Sequence, residues 1–533
     1  MEKIWKKIIF ILLINLNLNA SEIIDKTLLL NACKGCELVE VSLNGLINEV
    51  IKRNYELYLE KSKVQIAQHK ISMEEGIFEP MLQASATYRR TNVPNSAEQT
   101  MSRGFQDNYR DRVRGFGTSV GGLLSTGGEW KLGFTDSKIS SNLINETQDY
   151  DTEYSNGFSL SFKQPLLRGM GKDVTYAKIN MAKLGGKINE TEYKNNLMGL
   201  IATTIRLYWR LYGTQKLYES WSKTLNITEQ QLNTIQLLAQ YGKIPETEIL
   251  EVKSSIFEKR TELINLKLTI DEIKNQLLSL LNVSNKAFSS TLFVVKDKPN
   301  ITENKLNLDV EDNYKKAIEN LPELRLAELK IASGKLEYKY NENQLLPDLT
   351  LNTSVSTLGL SNLRNNAMYC STSCNEQVSW NVGLNLEIPL YGNDKASANL
   401  AISRIRLKNS ELAINSFQKG IYNAIVTKIE QLKIEKIKLD QYKKEVEMKA
   451  ELLSIERQKM ELGKSRIRNI LEYEEKLKIT ERKFLGSIVK WKVTEALLLK
   501  TTGDLLKHQD IELDFKLKNP DENEELNSKF LEY

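Results

Sequence analysis

"FKQPLLRGMGKD", residues 162–173, joins two patterns that rarely sit side by side. Upstream, Phe158, Leu160 and Phe162 alternate with Ser159, Ser161 and Lys163, the two-residue period of a strand with one apolar face. Downstream, no proline appears until Pro245, and the sequence reads as one very long helix. From Thr175 to Gln240 that helix has about 65 residues, a rod of roughly 100 Å at 1.5 Å per residue. No compact domain needs such a rod. A helical hairpin of that reach projects from something, and the strand before Pro165 is where to look.

The layout is written twice, which is the signature of an internal duplication. "NYELYLEKSKVQIAQHK" from Asn54 matches "LPELRLAELKIASGKLE" from Leu321, at an offset of 267 that also pairs Pro80 with Pro347. "NGFSLSFKQPLLRG" matches "NVGLNLEIPLYG", pairing Pro165 with Pro389, and "AQYGKIPETEILEV" matches "MELGKSRIRNILEY", pairing Gly242 with Gly463. Each half therefore reads as a helix ending at a proline, a β segment closed by a second proline, and a long helix that turns at a glycine and returns. The first repeat covers 21–300, with its β segment at 81–164 and its helical hairpin at 173–283. The second covers 301–508, with its β segment at 348–388 and its hairpin at 395–505. In the second hairpin Ile414, Phe417, Ile421, Ile425, Ile429 and Leu432 recur every three or four residues, the spacing of coiled-coil packing.

Composition limits what this layout can be. Of 533 residues 27% are charged and only 9 are proline, with a net charge of +5, too small for a nucleic-acid footprint. No internal run reaches the roughly 18 apolar residues of a membrane helix. "MEKIWKKIIFILLINLNLNA" has a basic start, a short apolar run and a small residue at its end, which reads as a secretory signal peptide over 1–20. The four cysteines fall in two close pairs, Cys33/Cys36 and Cys370/Cys374; in an exported chain these are disulfide candidates, with lipidation of Cys33 the minority reading. Zinc would need both distant pairs to converge, and no cofactor or metal is expected. The tail, 509–533, is acidic and lysine-rich and reads as loosely structured.

The β segments decide the environment. Leu82, Ala84, Ala86 and Tyr88, then Leu349, Leu351 and Val355, then Trp380, Val382, Leu384, Leu386 and Ile388 each alternate with small polar residues. With Phe158–Lys163 this makes four strands, two per half, each near the length of a strand that spans a membrane. A soluble sandwich of four strands separated by hundreds of helical residues would have only a thin core. In lipid, open edges are excluded, so four strands cannot close alone but can close if several chains contribute. "LLSTGGEWKLGFTDSK" (123–138) adds a strand–turn–strand through Gly127 and Gly128, whose place in the barrel or at its base stays open. The polar stretches 92–111, 139–153 and 361–377 read as loops at the far end.

The duplicated layout, "QPLLRG" at the strand-to-helix corner and the tips "YGKIPETEIL" and "LGKSRIRNIL" resemble the TolC-like outer-membrane efflux family, over about residues 40–505. The resemblance implies a mixed α/β membrane protein: a homotrimer whose twelve-stranded outer-membrane β-barrel, four strands per protomer, is continuous with a long periplasmic α-helical coiled-coil tunnel. It further implies a passive gated conduit in a tripartite efflux or type I secretion system, working with a periplasmic adaptor and an inner-membrane transporter to export drugs, small molecules or proteins. An exported coiled-coil spacer or adhesin with no transport role is the alternative from the residues alone.

No enzyme is expected: His69 and His508 stand alone among charges, and "GKS" at Gly463–Ser465 lacks the first glycine of a phosphate loop, Gln458 standing in its place. Site residues follow from the resemblance. Glu248, Asn469 and Glu472 fall at the positions of a periplasmic gate, with Asn469 standing where the family carries an aspartate. Gly242, Lys243 and Ile244 with Gly463, Lys464 and Ser465 are the tips on which an adaptor would dock, and Pro80, Pro165, Pro347 and Pro389 mark the corners between lipid and periplasm.

Overall fold

The computed structural model describes residues 37–147, 149–242, 244–283, 291–301, 307–373 and 377–511. The expected signal peptide, Cys33, Cys36, Lys243, Cys374 and most of the tail lie outside the described residues. The chain runs β1 (Glu37–Val41), α1 (Leu43–Arg53), α2 (Tyr55–Glu75), β2 (Met81–Pro94), β3 (Asn108–Leu123), β4 (Glu129–Ser141) and β5 (Glu153–Pro165). It continues as α3 (Ala177–Gln240), α4 (Glu246–Leu280), β6 (Thr291–Val295), α5 (Val310–Asn320), α6 (Pro322–Gln344), β7 (Asp348–Ser361), α7 (Arg364–Ser373) and β8 (Val378–Glu387). α8 (Asp394–Glu461) and α9 (Ile467–Thr501) follow, with a last short helix at Leu505–His508. The two long helices, α3 and α8, have 64 and 68 residues. No helix among the described residues is long and apolar enough to cross a membrane.

The duplication extends to the backbone. α1 breaks into α2 at Asn54 (φ −74°, ψ 117°), and α5 breaks into α6 at its counterpart Leu321 (φ −71°, ψ 117°). Each break residue donates its N–H to the carbonyl four residues back, Val50 and Ala317. The same local geometry survives although the first site holds an asparagine and the second a leucine. Asn54 adds a cap that leucine cannot: its Oδ1 accepts from Leu57 N–H at 2.9 Å and its Nδ2 donates to Leu280 O at 3.1 Å.

Two compact units, each drawn from both halves, make up the chain. The first comprises the residues up to Glu60, Tyr193–Pro322 and the chain from Phe417. Its core packs Leu46, Ile47, Leu197, Met198, Tyr208 and Leu211 against a two-stranded parallel sheet, β1 with β6. Gln215 satisfies that sheet from a buried position, accepting from Val295 N–H and donating to Phe293 O. Tyr208 donates to Asp297 Oδ2 at 2.7 Å, and burial, with that carboxylate beside it, pushes the phenol's pKa far up, so it stays a donor.

The second unit, Lys61–Glu192 with Glu323–Ser416, holds one antiparallel sheet in the order β2-β3-β4-β5-β7-β8. The four strands expected from the sequence are β2, β5, β7 and β8. The hairpin left open, β3–β4, lies inside the sheet between β2 and β5, in unbroken register over its whole length. The sheet of one chain therefore holds six strands, two more than the alternation alone identifies. β2 and β4 also run further than the alternation suggested, and short helices, including α7, occupy the loops that follow.

Register sorts the faces. Leu82, Val120, Leu132, Leu160, Val355 and Trp380 form one cross-strand row on all six strands, and Phe134 and Phe158 sit in the next. The opposite face carries Gln83, Ser119, Gly133, Ser159, Ser356 and Ser379 in one row. A concavity of about 620 Å³ opens mainly on this polar face, with Gln83, Ser119, Lys131, Ser161 and Asn381 in its lining, so the sheet curls around its polar side. An apolar convex face with a polar concave one is the arrangement of a barrel wall with a wet lumen.

The corner of "QPLLRG" explains how the sheet is anchored. Pro165 is the last residue of β5, opposite Thr350. Leu166 N–H then donates to Leu349 O, Gly169 N–H to Asn343 Oδ1, and Arg168 pairs with Asp348. The first half's corner is thus tied to the second half's helix-to-strand turn, where Pro347 sits. Pro80 precedes β2 directly, and Pro389 follows β8 by two residues. The β3–β4 turn joins the same corner: Gln164 Nε2 donates to Thr126 O, and Gly171 N–H donates to the same oxygen at 3.0 Å. Gly127 (φ 87°) leaves no room for a Cβ, which would collide with the Gly169 carbonyl oxygen. Gly127→Ala should therefore cost about 1–2 kcal/mol in backbone strain plus the displacement of that corner. We expect a melting temperature lower by several degrees, whereas Gly171→Ala, also at positive φ but with open space around it, should cost less.

Candidate functional site

The two hairpin tips are built alike from unlike sequences. After α3 and α8 the chain turns through Gly242 (φ 70°) and Gly463 (φ 71°). Gly242 N–H donates to Ala239 O and Gly463 N–H to Met460 O, both at 2.9 Å, and Lys464 N–H reaches Lys459 O at 2.8 Å. These bonds satisfy carbonyls that a helix end would leave open. Space around both glycines is free, so the need is for their backbone conformation and not for their small size. Pro245 caps α4 and Arg466 caps α9, each in extended conformation.

Apolar contacts hold the tips to each other. Ile235, Val252 and Ile256 of the first hairpin cluster with Leu453, Ile467 and Ile470 of the second, and Ile244 packs against them. Ile244 is thereby a packing residue of the first tip, while Lys464 is exposed at the second.

The structure distributes the three expected gate residues. Glu248 is half-buried in the first turn of α4, and Asn469 and Glu472 are exposed near the start of α9. No hydrogen bond or ion pair joins Glu248 to the other two among the described residues. Glu472 pairs one turn along its own helix with Lys476 at 2.6 Å, and that ammonium holds its carboxyl below the usual range. Asn469 has a different partner: its Nδ2 donates to Glu456 Oε1 and to Ser465 Oγ, each at 3.3 Å. The Ser465 hydroxyl also donates to Glu456, and Lys459 pairs with it at 3.2 Å. Glu456, on the outgoing helix, is thus the acceptor that closes the second tip. The Ser465 hydroxyl and the Lys459 ammonium hold its carboxyl below the usual range.

This explains the asparagine. An aspartate at 469 would set two carboxylates within hydrogen-bond reach, where both cannot stay ionised. In the parent protein Glu456 strengthens the tip above the ordinary glutamate range, and that contribution fades as pH falls through its lowered pKa. Asn469→Asp should invert the sign: the tip loosens at neutral pH and tightens on mild acidification, when one carboxyl takes a proton. Amide exchange over 462–469 at pH 7 and pH 5 reads this directly, and the same pH trend in both proteins would refute it.

A second polar group was invisible in the sequence. Glu474 of α9 is 1% exposed and accepts from three other helices. Lys259 of α4 donates at 2.6 Å, Arg457 of α8 at 2.8 Å, and the Thr228 hydroxyl of α3 lies at 3.4 Å. Lys259 also donates to Thr228 and Ser255. One carboxylate therefore links both helices of one hairpin to both helices of the other. Farther along, Lys478 and Arg482 both lie over the ring of Trp221, within 4.7 Å of its centroid, adding cation–π contacts between the hairpins.

Of the cysteine candidates, Cys370 is half-buried on α7; its proposed partner, like Cys33 and Cys36, lies outside the described residues. Among the described residues no group of three His, Cys, Asp or Glu side chains could hold a metal ion.

Comparison with known proteins fits this geometry. Residues 313–503 match the family model described as outer membrane efflux protein. The Campylobacter jejuni CmeC outer membrane channel shares the fold with a TM-score of 0.63 at 13% identity, over 97% of this chain and 93% of that one. VceC, an outer membrane protein of Vibrio cholerae, gives 0.60 at 13% identity, over 86% and 96%. The Neisseria gonorrhoeae MtrE outer membrane channel, in its open state, gives 0.55 at 15%, over 87% and 89%. No curated protein matches in sequence. The second repeat thus matches the outer membrane efflux protein model, and the chain shares one fold along nearly its full length with solved outer membrane channels.

Proposed function

We propose that three copies of this chain form the outer-membrane exit duct of a tripartite efflux or type I secretion system, a passive gated conduit working with a periplasmic adaptor and an inner-membrane transporter. The observation that carries it is the sheet. One apolar face runs across six strands, and β2 and β8 are left as edges. Such edges are not tolerated in hydrocarbon, and β8 of one copy against β2 of the next removes them. A spacer or adhesin would have no use for that face. Six strands from each of three copies close a wall of eighteen. Barrel diameter grows roughly linearly with strand number, so this barrel is about half again as wide as one of twelve.

The tips supply the gate and the dock. Gly242, Lys243 and Ile244, with Gly463, Lys464 and Ser465, form the surface for adaptor hairpins, and opening requires the contacts of Glu456 and Glu474 to part, with Glu248 and Glu472 adding charge at the mouth. Energy comes from the inner-membrane partner. Paired cysteines at Gln83 and Asn381, on the lumen side of the two edge strands, test the assembly. Oxidation should give a ladder ending at a trimer extracted only with detergent. A detergent-free monomer without cross-links would overturn the reading.

A further inference from the structure

Above its apolar rows the outward face of the sheet turns basic. Following the same register, Tyr88, Arg114, Lys138 and Tyr154 form one row, Arg90 and Arg112 the next, and Arg110 lies opposite Asn92 beyond them. All five cations are exposed. Four of them come from the hairpin β3–β4.

Their arrangement is costly as it stands. Arg90 faces Arg112 and Arg114 faces Lys138 directly across neighbouring strands, and like charges so placed destabilise a sheet. No ion pair involves Arg90, Arg110, Arg112, Arg114 or Lys138 among the described residues. The same sheet does supply carboxylates where it needs them. On the lumen face Arg89 pairs with buried Asp111 at 3.0 Å, and on the outward face Asp136 is already taken by Arg364 of α7. Arg114 and Lys138 rest over Tyr88 and Tyr154, at 5.8 and 5.5 Å from the ring centroids. Aromatic rings at this level mark the interface girdle of a barrel, where headgroups lie.

We propose that this belt binds the phosphate groups of lipids in the leaflet at the loop end of the sheet. The proposal rests on the barrel reading, which alone turns this face to lipid. Strands about 4.8 Å apart, with alternate residues about 6.8 Å apart along each, set several cations around any one phosphate, and guanidinium forks suit such oxygens. A bound phosphate between Arg90 and Arg112 turns a repulsion into two charge-assisted contacts.

The test is binding by the purified protein in neutral detergent. It is titrated with bisphosphorylated lipid A, with lipid A stripped of phosphate, and with inorganic phosphate, and read by native mass spectrometry and melting temperature. Lipid A should bind several per trimer and raise the melting temperature, and the stripped lipid and free phosphate should do neither. The set Arg90→Gln, Arg112→Gln and Arg114→Gln should weaken binding at least tenfold with conductance unchanged, and the three lysine replacements should keep most of it. Should the glutamine set fail to assemble, Arg112→Gln alone, exposed and unpaired, should still lose severalfold. Equal binding of both lipids, an unaffected variant, or the same shift from inorganic phosphate overturns the proposal. Binding is counted per chain, so a monomeric parent protein would instead count against the channel reading.

Discussion

Glu474→Ala should destabilise the helical hairpins by about 3 kcal/mol and hold the tips open. Removing one partner of a buried ion pair costs about 3–5 kcal/mol, because the other charge is left without compensation. The lower figure applies because Arg457 is 31% exposed and can turn to water, while Lys259, at 9%, cannot. Glu474→Gln should lose less, since the amide oxygen still accepts from Lys259. A better control replaces the pair, Lys259→Met with Glu474→Leu. Apolar side chains of similar volume commonly restore or exceed the stability of a buried ion pair. Stability should then return, and the tips should close again if packing suffices. Melting of the protein and open probability in planar bilayers read the two effects separately. A Glu474→Ala protein that melts and conducts like its parent would remove this carboxylate from the gate.

The contrast between Glu474 and the tip glycines shows what the sequence can carry. Gly242 and Gly463 were legible because a left-handed turn demands one residue type, and that type stands at the same place in both repeats. Glu474 was not. In a chain with 27% charged residues, one buried glutamate looks like its solvated neighbours, and its partner Lys259 lies 215 residues away. Glu456 is hidden in the sequence for a related reason: it sits on the outgoing helix, before the glycine that marks the tip. The strands divide the same way. β2, β5, β7 and β8 alternate apolar with polar. β3, "NYRDRVRGFGTSVGGL", does not, because Gly115, Gly117 and Gly121 occupy its lumen face and Arg110, Arg112 and Arg114 the upper part of its outward face. Only cross-strand register reveals Val120 as a member of an apolar row, between Leu82 and Leu132.

That hairpin makes the largest claim on function, and removing it should narrow the exit. Deleting 97–141 joins β2 to β5 through the remaining loop. β2 and β4 run in the same direction, so β2 can take the place of β4 beside β5, with Leu82 and Ala84 where Leu132 and Phe134 stood. Topology and face are preserved, and three copies then close with twelve strands. The largest polyethylene glycol that enters from the loop side should shrink in diameter by about a third, because barrel width follows strand number. Combined with Glu474→Ala, so that the tips do not limit current, conductance should fall by up to about twofold. An unchanged exclusion size in an intact trimer would mean that β3 and β4 stand aside from the wall. Where the deletion does not assemble, single cysteines decide the matter in the full-length chain. A fluorophore attached at Phe134→Cys should be quenched by nitroxides in the lipid tails, and Ser119→Cys should react with a water-soluble maleimide through the lumen. The reverse pattern would turn the sheet inside out, and the width argument would fall with it.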